Sequence, residues 1–263
     1  MKRRPYSSLV FLLLCALLVL AAPWAARHGI NDIVGGNWDG PSSQAWLGTD
    51  NLGRDAWSRL IYGTRTTLAL AALSTVLAFA SGGVLGLLAG VWGGRLDTVL
   101  SRGNDVLMSI PALIFALVVL SVVPPGAVTV CLVVAALEGM RIFRVTRSLA
   151  AGAAALDYVE VARLRGEGVV ALIFREVLPN IARPMLAEFG LRTVFAVLLI
   201  STLSFLGLGL QPPSTDWGSL AKENKDGVLF GVWAALIPGA AIGLLSLSIN
   251  AVLDWLAQRR RAL

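Results

Sequence analysis

The sequence predicts an all-α, polytopic membrane protein with six transmembrane helices. Three observations carry this. First, 56% of the 263 residues are hydrophobic and only 14% are charged, where soluble chains carry about 25% charged residues. Second, apolar runs long enough to cross a bilayer recur along the chain. Third, Lys and Arg gather in alternate connecting segments, as cytoplasmic loops require. Mean hydropathy is +0.75. This composition excludes a disordered chain, and two cysteines exclude a disulfide scaffold.

A bilayer core of about 30 Å needs roughly 20 helical residues. The six expected spans are Leu9–Ala26, Leu68–Trp92, Val106–Val123, Gly126–Phe143, Phe189–Leu210 and Val228–Trp255. The third and fourth form one apolar stretch, Ala112 to Leu137, broken only by Pro124-Pro125-Gly126. That triplet removes two amide donors and adds a permissive glycine, which suits a tight outer turn. Charge supports the division. Arg95 and Arg102 lie before this stretch, and Arg141, Arg144, Arg147, Arg163, Arg165, Arg175, Arg183 and Arg192 follow it. Both segments are expected inside, so an even number of crossings lies between them. Of the 22 Lys and Arg, only Arg27, Arg54, Arg59, Arg65, Lys222 and Lys225 fall on the outer side. Both termini are therefore expected in the cytoplasm, with Lys2, Arg3 and Arg4 at one end and Arg259 to Arg261 at the other. The first run has a second reading, a cleaved signal peptide, from its basic start and the small residues at Ala21 to Ala26.

The expected organisation is an anchor span and outer loop at 1–67, a transmembrane domain at 68–255 with a cytoplasmic loop at about 140–193, and a basic tail at 256–263. In the second span, Ala78, Gly82, Gly86 and Gly90 place small side chains on one face; Ala235, Gly239 and Gly243 repeat this in the sixth. Both stripes read first as ordinary close helix packing. Cys15 and Cys131 read as buried small hydrophobes. His28 is the only histidine, so no metal site is expected. Glu138 and Asp254 fall near inner span ends, leaving the hydrocarbon midplane without ionisable groups. An ion-coupled carrier usually needs such groups, which points to an energy source outside the chain.

The first outer loop carries Leu47-Gly48-Thr49-Asp50-Asn51-Leu52-Gly53-Arg54-Asp55, then Ser58-Arg59. Asp50 or Asp55 suits a helix N-cap. Trp57, Leu60 and Ile61 then suggest a short helix along the interface. The last outer loop, Gln211 to Lys225, carries Pro212-Pro213 and Asp216-Trp217-Gly218. The inner stretch Met140 to Thr193 is too long for a plain connection. Asp157 is expected to cap a short helix with Val159, Val161, Ala162 and Leu164 apolar. Gly166 and Gly168 break it. Val169, Val170, Leu172, Ile173 and Val177 begin a second apolar face, which Pro179 is expected to end. The apolar face of the short helix must be covered, by a partner's groove or the membrane surface.

Glu160-Val161-Ala162, Gly166 and Leu178-Pro179-Asn180 resemble the EAA loop of ABC importer membrane subunits. Three further motifs resemble the C-type chain of the dipeptide, oligopeptide and nickel permeases. These are the first outer-loop motif above, Gly93-Gly94-Arg95-Leu96-Asp97 with Arg102, Asp105 and Ile110-Pro111, and Leu203-Ser204-Phe205-Leu206-Gly207-Leu208-Gly209 with Gln211-Pro212-Pro213 and Trp217-Gly218. The resemblance covers roughly residues 46–255. Two positions depart from it: Val161 replaces the usual alanine, and Glu176 stands where relatives carry His or an aliphatic residue.

The resemblance implies a type I importer (MetI-like) permease fold in the inner membrane. The implied partners are a homologous B-type permease, two ATP-binding cassette ATPase subunits and an extracytoplasmic substrate-binding protein, with membrane lipid around the spans and no nucleic acid. It implies that Glu160, Val161, Ala162, Gly166, Leu178, Pro179 and Asn180 couple the chain to an ATPase, and that the cargo is a di- or oligopeptide. Nickel or a metal chelate is the alternative cargo, and an ion-coupled secondary transporter the distant alternative. No cofactor and no catalytic residue are expected. No Walker A, Gly-x-Ser-x-Gly or His-Glu-x-x-His pattern occurs, so ATP is expected on partner subunits.

Overall fold

The computed structural model describes residues 6–124, 126–233 and 236–259. Lys2, Arg3 and Arg4, Pro125 of the outer turn, Ala235 of the second small-residue stripe, and Arg260 and Arg261 lie outside the described residues. Regular structure among them is helical, apart from isolated bridges pairing Ile33 with Arg54 and Thr49 with Asp55. In chain order the helices are α1 (Tyr6–Ala25), α2 (Ala56–Ala78), α3 (Val84–Trp92), α4 (Gly94–Met108), α5 (Ala112–Val122), α6 (Ala127–Ala154), α7 (Asp157–Leu164), α8 (Val169–Ala171), α9 (Leu178–Phe205), α10 (Trp217–Asn224) and α11 (Leu236–Arg259). Wide π turns at Phe79–Gly83 and Leu172–Val177 link α2 to α3 and α8 to α9.

Four continuous helical runs are long and apolar enough to cross a membrane: Tyr6–Ala25, Ala56–Trp92, Val169–Phe205 and Leu236–Trp255. A fifth crossing is available if α4 and α5, bent by 81° at their junction, act together. The expected third span is therefore broken around Ser109–Pro111, where Pro111 disfavours a helical residue before it. The expected second span begins earlier than Leu68. Its helix starts at Ala56 and runs 37 residues, about 55 Å at 1.5 Å per residue. No separate interfacial helix holds Trp57, Leu60 and Ile61; they lie on the first turns of α2, and Ile61 is buried.

The chain divides into two compact units. One comprises Met1–Ala72, Leu120–Cys131 and Thr193–Leu263. Within it α11 packs against α1 and α10, and the segments before α2 and around α10 fold into a polar knot. Asp55 caps α2, accepting from the Trp57 and Ser58 amides at 3.2 Å and from Ser58 Oγ at 2.6 Å. Asp50 has a different task. Its carboxylate accepts from the Arg54 amide and Nε (2.9 and 2.7 Å) and from Arg59 Nη1 (2.5 Å). Glu223 of α10 completes the cluster, accepting from Arg54 Nη2 and Arg59 Nη1, both at 2.6 Å. Arg59 and Asp50 are almost fully buried. Asp216 and Ser219 form a capping box on α10. Burial pushes the Asp216 carboxyl up, against the pull of its cap hydrogen bonds. Trp217 is buried, its amide donating to Thr67 Oγ1 and its ring nitrogen to Thr64 Oγ1.

The second unit comprises Leu73–Val119 and Leu132–Arg192. Here the small-residue stripe has a packing reason. A Cβ on Gly82 would stand 2.0 Å from the Gly139 carbonyl oxygen, and one on Gly86 2.7 Å from that of Phe143. These positions bring the α2–α3 run against the α6 backbone. Gly239 and Gly243 in the other unit meet nothing comparable. Glu138 is fully buried, not merely near a span end. Arg141 donates to it at 2.5 Å, and Arg192 at 3.3 Å. Glu138, Arg141 and Arg144 also interrupt the apolar character of α6, whose 28 residues are long enough to cross a membrane.

Breaking a buried ion pair by removing one partner typically costs 3–5 kcal/mol. Among the described residues, Asp50→Ala leaves Arg54 and Arg59 with Glu223 as their only carboxylate. It should destabilise the protein by about 3 kcal/mol, measured by thermal unfolding in detergent. Asp226→Ala, at an exposed position, should leave the midpoint unchanged.

Candidate functional site

Two helical turns, α7, carry the centre of the candidate site. Asp157 does not cap this helix. Leu156 occupies the N-cap with extended backbone, and Asp157 and Glu160 lie in the first turn, where carboxylates favour the positive end of the helix dipole. The C-terminus is closed by a full Schellman motif. The Gly166 amide donates to the Arg163 carbonyl at 2.9 Å, and the Glu167 amide to that of Ala162 at 3.2 Å. Gly166 sits at φ +84°, and a Cβ there would meet open space. Its glycine is required by backbone conformation, not by close approach within the chain.

The apolar residues of α7 split between two faces. Val159 and Ala162 are fully buried, in a cluster with Val91, Ala150, Leu172, Ile173, Val177 and Ile181. The helix therefore covers its inner face with its own chain, rather than with a partner's groove or lipid. Val161 and Leu164 point the other way, 51% and 83% exposed, with Tyr158 and Glu160 also exposed. An open cavity of about 400 Å³, lined by Ala154, Ala155, Glu160, Arg163 and Leu164, borders this face.

The remaining candidate residues divide similarly. Leu178 is half-buried and packs on the same cluster, while Pro179 and Asn180 are exposed. Asn180 Nδ2 donates to the Glu176 carbonyl at 2.6 Å. Pro179 does not end the second apolar helix. Helical structure runs unbroken from Val169 to Phe205, with the π turn Leu172–Val177 immediately before this proline. Such a turn changes the hydrogen-bond register just ahead of Pro179, which has no amide hydrogen to donate. Along that face Leu172, Ile173 and Val177 are buried, but Val170 is exposed.

Sequence reasoning missed two arginine contacts, one at the site and one between neighbouring helices. Arg163 Nη2 donates to the Val91 carbonyl at 2.9 Å, capping the C-terminal end of α3. Arg147 grips Asp97 of α4 through both Nε and Nη2, the latter at 2.6 Å. Inner-side charge bias explained both arginines without naming a contact, and no local spacing marks either pair. Among the described residues no group of His, Cys, Asp and Glu is placed to hold a metal.

The local geometry separates two neighbouring glycines. Gly166→Ala forces a side chain into the left-handed region, at roughly 1–2 kcal/mol. Gly168 has no positive φ, so Gly168→Ala should cost little. Hydrogen exchange should show faster opening of α7 in the first variant and native protection in the second.

The family model described as "Binding-protein-dependent transport system inner membrane component" matches residues 82–262. The chain is 34% identical over 258 residues to a putative peptide transport system permease protein of Brucella suis, covering 97% of this chain and 87% of that protein. It is 34% identical over 255 residues to the di/tripeptide transport system permease protein DppC of Pseudomonas aeruginosa, covering 94% and 84%. Over 218 residues it is 35% identical to the glutathione transport system permease protein GsiD of Pectobacterium atrosepticum, covering 83% and 72%.

Proposed function

Because this chain belongs to the family of inner membrane components of binding-protein-dependent transport systems, the permease subunits of ABC importers, we propose that α7 is the element through which ATPase subunits drive it. The chain is a multi-pass inner membrane protein of the peptide-permease group, and ATP hydrolysis belongs to separate subunits. The observation that carries the α7 assignment is its division of labour. Val159 and Ala162 anchor one face on the chain's own core, leaving Glu160, Val161, Leu164 and Tyr158 outward. A helix with exposed apolar groups beside a carboxylate, on a rigid seat, is suited to enter a partner's groove.

In this reading Glu160 supplies a polar contact at the ATPase surface, and Val161 and Leu164 supply apolar area. Ala162 and Gly166 set the helix's seat and its exit. Leu178 holds the following helix to the same core, with Pro179 and Asn180 at its outer edge. Six crossings follow if α6 and the bent α4–α5 pair join the four apolar runs, with Glu138 neutralised by Arg141 and Arg192. Both termini then lie in the cytoplasm, and α7 on the ATPase side. The cargo is a di- or oligopeptide, delivered by an extracytoplasmic binding protein into a pathway shared with a homologous permease chain. The names of the relatives in P. aeruginosa and B. suis support a peptide cargo. No cofactor is held by this chain, and ATP is bound by its partners.

Leu164→Asp combined with Glu160→Arg alters only exposed positions. Uptake of labelled dipeptide, in a strain lacking the native chain, should fall at least tenfold in this variant with membrane insertion unchanged. Undiminished uptake would remove α7 from the coupling path. Nickel uptake lost with the chain, and dipeptide uptake kept, would overturn the peptide assignment.

A further inference from the structure

The motif Gly93 to Pro111 is not used by the coupling reading, and the structure gives it a place of its own. Helix α4 is amphipathic, and with the α2–α3 run and α6 it bounds an open groove of about 550 Å³. The walls are almost wholly apolar: Leu85, Val99, Leu100, Leu107, Met140 and Phe143. Asn104 and Ser81 are the polar exceptions.

Charge distinguishes one rim of this groove. Helix α4 carries two acids and two arginines. Both acids are engaged by α6: Asp97 is gripped by Arg147, and Asp105 Oδ1 accepts from Arg144 Nη2 at 2.8 Å. Arg95 and Arg102 are exposed and form no ion pair among the described residues. Arg95 lies four residues before the groove residue Val99 and Arg102 three residues after it, so both share the Val99 side of α4. The helix thus presents a pair of unneutralised guanidinium groups beside an apolar slot.

We propose that this groove is a binding site for an anionic phospholipid, one acyl chain lying in the slot and the phosphate held by Arg95 and Arg102. Guanidinium groups match phosphate oxygens in geometry and charge. Basic pockets between membrane helices select anionic headgroups. In the six-crossing reading α4 forms the first part of the bent α4–α5 crossing, which brings its arginines to the headgroup boundary and its apolar face into the bilayer. A helix of another protein would fill the slot, but would leave the two arginines without a counter-charge unless it brought acids of its own.

The test uses the full-length chain, in whatever complex it purifies with, placed in nanodiscs of mixed phosphatidylglycerol and phosphatidylcholine. Native mass spectrometry after release should show retained phosphatidylglycerol in preference to phosphatidylcholine. Each of Arg95→Gln and Arg102→Gln should reduce that preference about fivefold. Gly103→Leu should abolish retention of both lipids. A Cβ at Gly103 meets nothing within 4 Å, and leucine favours the helix, so this variant should keep the native unfolding midpoint. Retention without headgroup preference, or undiminished retention in Gly103→Leu, would overturn the proposal. So would cross-links from Asn104→Cys to a companion polypeptide in place of lipid. Dipeptide uptake is read separately, so failure here leaves the coupling reading intact.

Discussion

Val159 and Ala162 are small enough, and close enough to Ala150, Ala153, Leu172 and Val177, to hold α7 flat on the chain's own core. Isolated helices of two turns are unstable in water. This one persists because its inner face is already covered, its first turn carries acids, and its last turn ends in a Schellman motif. The outward residues are thereby presented in fixed geometry. In the proposed coupling role, a surface organised beforehand loses less ordering entropy on meeting its partner.

The polar knot solves a different problem. Arg54 and Arg59 are buried, and such charges are tolerated only when paired and hydrogen-bonded. Asp50 and Glu223 come from segments far apart in sequence, so the cluster ties the segment before α2 to α10. The sequence motif around Asp50 thus has a structural cause: the acid and both arginines occupy one site. Asp55, next to this cluster, is committed to capping α2 and to Ser58.

Much of this was legible beforehand. Hydropathy located the apolar runs, Gly166 marked the end of α7, and the spacing of Gly82, Gly86 and Gly90 marked a close helix contact. What escaped was of two kinds. Where a helix starts or bends depends on tertiary support: Asp55 was legible as a cap, but that its helix runs on without a break into the second span, with Ile61 buried, is not visible in hydropathy. Pro179 reads as a terminator locally, yet the π turn before it lets the helix continue. The second kind is long-range pairing. Glu138 looked like a boundary carboxylate until Arg192, distant in sequence, was found beside it. The seating of Val159 and Ala162, as opposed to Val161 and Leu164, likewise depends on which neighbours fold over them.

The hydrogen bond from Arg163 to the Val91 carbonyl has a mechanical consequence. It couples the last turn of α7 to the terminal carbonyls of α3, beside the apolar seat that already includes Val91. A load applied to the outer side of α7 therefore meets a braced strut rather than a hinge. The short helix should transmit displacement with little internal give, passing it to α3 before its own hydrogen bonds yield.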